Sequence, residues 1–155
     1  MAKGGIKINL KGFDKMLAEI QEAGKDVSAA AKKAVRESAQ VVEDELRSAA
    51  DASGVPSDIT RKIRKKTTTE GDRFEAEVGW ELNGYDPKNP SEGYKAIFLN
   101  YGTVRRQTAK GYIRGAITKR TPDQQFIHRA KKAARPKVRK LQQEILKKAL
   151  GDLEK

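Results

Sequence analysis

The feature that most limits how this chain can fold is the run from Val27 to Ala49. Val27, Ala31, Ala34, Val35, Ser38, Val42, Leu46 and Ala49 recur at intervals of three or four, the spacing of a long helix with one buried face. Alanine dominates that face, so a second element can approach it closely. Asp26 or Ser28 stands where a cap belongs. Gly54 and Pro56 both oppose continuation, so the helix should end within "DASGVP". A chain of 155 residues has room for one domain with a real core around such a helix.

Shorter elements surround it. Ile6, Ile8 and Leu10 alternate as in a strand, and Phe13, Leu17 and Ile20 follow at helical spacing, with Gly24 as a break. A helical turn is expected from Pro56 to Asp58. The stretch from Lys62 reads as a hairpin about Gly71-Asp72, with Phe74, Ala76, Val78 and Trp80 on one face and Glu75, Glu77 and Glu81 on the wet one. Residues 83–93 hold two Pro, two Gly and two Asn, which predicts a flexible loop. "YKAIFLNYG" suits a buried strand or a two-turn helix equally, ended by Gly102. Residues 103–120 have few apolar anchors and read as a strand pair or as an arm that orders on assembly. Thr121-Pro122-Asp123 announces the last helix. Its stripe is Phe126, Ala130, Ala133/Ala134, Val138, Leu141, Ile145 and Ala149, with a kink or break expected just before Pro136.

Charge is distributed unevenly. Residues 1–53 carry 9 Lys/Arg and 9 Asp/Glu, residues 54–100 carry 8 and 8, and residues 101–155 carry 16 and 4, so the whole net charge of +12 lies in the last third. That asymmetry points to a polyanionic partner, either nucleic acid or an acidic protein surface; a merely solvated basic helix is the plainer reading. Arg105, Arg106, Lys110, Arg114, Lys119 and Arg120 surround Tyr112, a basic arm with an interleaved aromatic. No sequence-reading motif accompanies it, so any DNA contact would be to phosphate.

Catalysis finds little support. There is one histidine, His128, and no cysteine, which removes the usual nucleophile–base pairs and transition-metal clusters. Glu43, Asp44 and Glu45 are consecutive, point in different directions, and read as a solvated helix end. No phosphate-cradling loop or calcium loop occurs. No stretch approaches the roughly 20 apolar residues of a membrane span, and the start is too short in apolar residues for a secretory signal. We expect a soluble chain made in the cytosol, without cofactor or metal.

The ordered combination resembles the tail-component (tail-completion or neck) proteins of long-tailed bacteriophages, typified by gene product ten of a lambda-like phage. Tyr94, Ala96, Phe98, Tyr101, Gly102 and Thr103 match a Tyr-Ala-x-x-x-Glu-[Phe/Tyr]-Gly-Thr segment of that family. Phe126, Ile127 and Ala130 match a Pro-Phe-[Ile/Leu]-x-x-Ala segment that opens the last helix. "GVPSDITRKI" is similar to the family's Pro-containing turn. Asn100 stands where the family usually has Glu, and Pro122 lies four residues before Phe126 instead of beside it.

The expected fold is α+β: one domain with a small antiparallel sheet packed against a long N-terminal helix and a long C-terminal helix. Gly102 would allow close packing or a positive φ, with Tyr101 and Thr103 anchoring the bend, or would simply cap a helix. The resemblance implies a virion protein, assembled in the host cytoplasm, that completes the tail or joins it to the head. It would act as a homo-oligomeric ring against connector and tail-tube proteins, with non-specific DNA contact as a further partner and no membrane. The alternative is a basic protein that binds nucleic acid without sequence preference.

Overall fold

The computed structural model of the chain describes residues 5–82, 84–102, 106–107, 113–114 and 120–151. In chain order it forms β1 (Gly5–Asn9), α1 (Asp14–Glu22), α2 (Val27–Ala52), α3 (Ser57–Thr60), β2 (Arg64–Glu70), β3 (Arg73–Gly79), α4 (Glu92–Tyr101), β4 (Arg106–Gln107), β5 (Ile113–Arg114) and α5 (Phe126–Gly151). The expected α+β architecture is what the chain adopts.

Strand order is β1-β3-β2, antiparallel throughout. Ile6 pairs with Val78 and Ile8 with Ala76, so the apolar positions of both strands share one face, and these four side chains are buried. Every residue of β2 is exposed. Lysines and threonines at an edge leave nothing for a neighbouring sheet to bury, a common defence against edge-to-edge association.

Helix α2 lies across the sheet, and α5 lies along α2, meeting the strands chiefly at β1. The alanine face explains the fit. Ala31, Ala34, Ala39 and Ala50 of α2 and Ala130 and Ala134 of α5 are buried, so the helices share side chains too small to hold them apart. Ser38 is also buried, and its hydroxyl donates to the Ala34 carbonyl at 2.6 Å, which satisfies the one polar group on that face. Asp26 caps α2, accepting from the Ala29 amide at 3.0 Å.

Three expectations are corrected. The "TPDQQ" segment does not open the last helix directly. Pro122–Gln124 form a 3-10 turn, Gln125 is extended, and α5 begins at Phe126; the Thr121 amide donates to Gln124 Oε1 at 3.1 Å and closes that turn on itself. The helix is unbroken through Pro136. That residue is exposed, so its ring projects to solvent while Ala134 and Val138 keep the buried stripe in register. The inward line of α5 also passes through Gln142 and Leu146, with Ala133 exposed.

Candidate assembly interface

The site begins with α4, which sequence periodicity left open between strand and helix. As a helix, α4 turns Gly93, Ala96 and Asn100 inward at intervals of three and four. Gly93 is required by proximity: a Cβ there would stand 2.3 Å from the Glu81 carbonyl oxygen. Tyr94 and Phe98, four residues apart, lie half-buried on the outer side. The ring of Tyr85 meets Tyr94 edge-on at 5.1 Å and Phe98 at 6.2 Å. The loop before α4 thus has an aromatic anchor that its Pro, Gly and Asn content concealed. Tyr85 is itself 53% exposed and Tyr101 37%, the two large apolar side chains most open to solvent among the described residues.

Asn100 is fully buried, and its Oδ1 accepts the Ile127 amide at 2.9 Å. That amide belongs to the first turn of α5, whose leading N–H groups lack intrahelical partners. Asn100 therefore caps α5 from another helix. The side-chain oxygen of Asn100 thus faces the positive end of the α5 dipole. Asn100 Nδ2 has no hydrogen-bond partner among the described residues.

Phe126 and Ile127 sit beside this cap, both buried. The Phe126 ring meets Trp80 edge-on, with centroids 6.0 Å apart and planes at 78°. Trp80 Nε1 donates to the Ile59 carbonyl at 2.7 Å, which ties the end of β3 to α3. Arg47 donates from Nη1 to the Thr60 carbonyl at 2.8 Å and from Nη2 to Glu43 at 2.8 Å. Lys65 of β2 reaches the other Glu43 oxygen at 3.0 Å. Burial acts to raise the Glu43 pKa, but the hydrogen bonds and charges of Arg47 and Lys65 together outweigh it and hold the carboxyl below its ordinary value. Glu45 pairs with Lys137 of α5. Glu43 and Glu45, read as part of a solvated end, thus clamp α2 to β2 and α5, which only the three-dimensional neighbours reveal. Asp44 is exposed as expected and accepts from Gln40 of its own helix.

At Gly102, α4 ends with φ at +84° and ψ at 175°, a conformation that favours glycine. The Gly102 amide donates to Phe98 O at 2.8 Å, and the Arg120 amide donates to Tyr101 O at 3.1 Å. The chain thus leaves the body at Gly102 and returns to the same place at Arg120. Between them β4 and β5 pair antiparallel, with Arg106 opposite Arg114. Of the expected interface residues, Arg120 is at the base and Arg106 and Arg114 share a rung of this ladder; Arg105, Lys110, Tyr112 and Lys119, like Thr103, lie outside the described residues.

More of the basic charge lies on α5 than on this segment: residues 126–151 hold nine Lys/Arg and a single acid, Glu144. His128 is exposed on that helix. Among the described residues no three His, Cys, Asp or Glu side chains gather as a metal site would need, and no helix is long and apolar enough to cross a membrane.

No curated protein and no solved structure matches the chain. Residues 14–102, more than half of it, match the model of the HK97-gp10-like family, described as "Bacteriophage HK97-gp10, putative tail-component". The match stops at the glycine where the basic segment begins. It takes in Tyr94, Ala96, Phe98, Asn100 and Tyr101, whose inward and outward division has just been described, while Phe126, Ile127 and Ala130 lie beyond it. The chain belongs to this HK97-gp10-like family of bacteriophage tail components.

Proposed function

We propose that this tail component is a tail-completion subunit that joins tail to head, working as a ring of identical copies against connector and tail-tube proteins. One observation carries the reading. The body shared with the family ends at Gly102, and residues 103–120, which hold six Lys/Arg and no acid, start and finish at a single hydrogen-bonded base. That joined base, with Arg120 hydrogen-bonded to Tyr101 beside Gly102, supports assigning the charge of the intervening residues to a partner. Arg105, Arg106, Lys110, Tyr112, Arg114, Lys119 and Arg120 form that surface, with neighbouring subunits and virion proteins as its main partners and passing DNA as a secondary one.

The test replaces Arg105, Arg106, Arg114 and Arg120 with Gln. Surface changes of this kind contribute within about 0.5 kcal/mol each, so melting should shift little, while rescue of a phage lacking this gene should fall sharply. A variant that melts normally and complements fully would refute the interface. Retention on DNA would not discriminate, because a chain of this charge binds phosphate at low salt in any case. Co-assembly with tail-tube protein separates a joining subunit from a general nucleic-acid-binding protein.

A further inference from the structure

A second basic surface lies outside residues 103–120. The groove between the outer edge of β1 and α5 has a volume of about 580 Å³, and among its lining residues are Lys7, Lys11, Lys131, Arg135 and Arg139 with no Asp or Glu. Lys7 is occupied on the wet face by Glu75 of β3, at 3.4 Å. Lys131, Arg135 and Arg139 are exposed and have no carboxylate within 4 Å among the described residues. They stand at i, i+4 and i+8 on one row of α5, where like charges repel and weaken a helix. Such a row does not serve α5's own stability, and it leaves an unanswered demand for anions.

The opposite wall of the groove is a strand edge. β1 is hydrogen-bonded to β3 alone, so its other edge has no strand beside it among the described residues, and Gln142 Nε2 donates to its Asn9 carbonyl at 3.2 Å. The floor between edge and row includes Ile8, Val42 and Val138. We propose that this groove takes an extended acidic peptide segment of a partner protein, which adds to β1 as a further strand and sets its carboxylates against the α5 row. Spacing supports the match: residues four apart on a helix rise about 6 Å, and same-face residues of a strand repeat at about 6.7 Å. An open backbone edge recognises peptide groups, in the manner of strand addition, and the apolar floor suits aliphatic side-chain stems better than a sugar–phosphate chain. The site is independent of the head–tail reading, since it can be tested with purified protein alone.

The probe is a fluorescein-labelled peptide alternating Glu with Val, titrated by anisotropy at low salt. Replacing Lys131, Arg135 and Arg139 with Gln should weaken it about tenfold or more. Replacing Lys132, Lys147 and Lys148 with Gln removes the same charge from exposed positions of the same helix and should change affinity less than about threefold. Amide hydrogen exchange across Gly5–Asn9 should slow when peptide is bound. Equal weakening by both triple variants would reduce the effect to general charge, and unchanged exchange in β1 would exclude strand addition; either result overturns the proposal. So would an oligothymidine of equal charge that binds as tightly and depends on the same three cations, since the groove would then be a phosphate surface.

Discussion

Replacing Phe126 with Ala tests the junction on which the candidate interface rests. The ring is fully buried at the first position of α5 and meets the edge of Trp80 at 6.0 Å. Removing a buried Phe side chain costs about 3–5 kcal/mol, combining lost transfer energy with the cavity left behind. Of that, the aromatic pair accounts for about 0.5–1.5 kcal/mol. With a urea m-value of about 2 kcal/mol per molar, the midpoint should fall by about 1.5–2.5 M. Trp80 is the single tryptophan and is buried, so its fluorescence reports unfolding at the contact itself. Because the whole fold is worth only about 5–15 kcal/mol, Phe126→Leu provides a milder companion that loses the ring pair but keeps apolar bulk. A double-mutant cycle with Trp80→Leu, followed by far-UV circular dichroism, should return a coupling of about 0.5–1.5 kcal/mol. A loss below about 1 kcal/mol for Phe126→Ala would mean that the side chain is not buried at this junction, and the account of how α5 is anchored would fail.

Two further outcomes follow from the same region. Gly93→Ala sets a methyl group 2.3 Å from the Glu81 carbonyl, a clash with backbone that should cost about 1–3 kcal/mol despite alanine's better helix propensity; a melting temperature equal to or above wild type would place α4 farther from Glu81. Glu43 is held below its ordinary pKa of 4.5 once burial, Arg47 and Lys65 are combined, so its stabilisation is present above the unfolded value and lost as pH falls through the folded one. The stability gap between wild type and Glu43→Gln should therefore narrow when melting is measured below pH 4.5 instead of at pH 7, and a gap independent of pH would contradict the ion-pair account.

How much of this was legible in the sequence depends on whether a residue's role is set by its own segment. The α2 stripe, the alternation in β1 and β3 and the hairpin at Gly71 are local patterns, and the chain follows them. Helix α4 was ambiguous because a short apolar run carries too few periods to separate strand from helix; the spacing of Gly93, Ala96 and Asn100 was the usable signal. The unbroken α5 shows the limit of a rule about proline. One missing donor on an exposed face is tolerated when the buried stripe continues on both sides. Asn100 and Glu43 were beyond reach, because their partners lie 27 residues away in one case and across to β2 in the other. Nothing near Asn100 in the chain announces that it will cap a helix starting at Phe126.

The location of charge then bears on function in a way that the net value conceals. An excess of +12 assigned wholly to one arm would predict one binding surface. With nine cations on α5, one of them paired across to Glu45 and another hydrogen-bonded to Ser53, part of the charge works inside the fold. The row from Lys131 to Arg139 does not, and it lies over the β1 edge, whereas Arg120 stands at the base of the segment that leaves and rejoins beside Tyr101. If residues 103–120 and the α5 row each take a partner, as proposed, one subunit could meet two different neighbours. Loss of one surface should then leave binding at the other intact, a separation that a generic polycation binding through total charge would not produce.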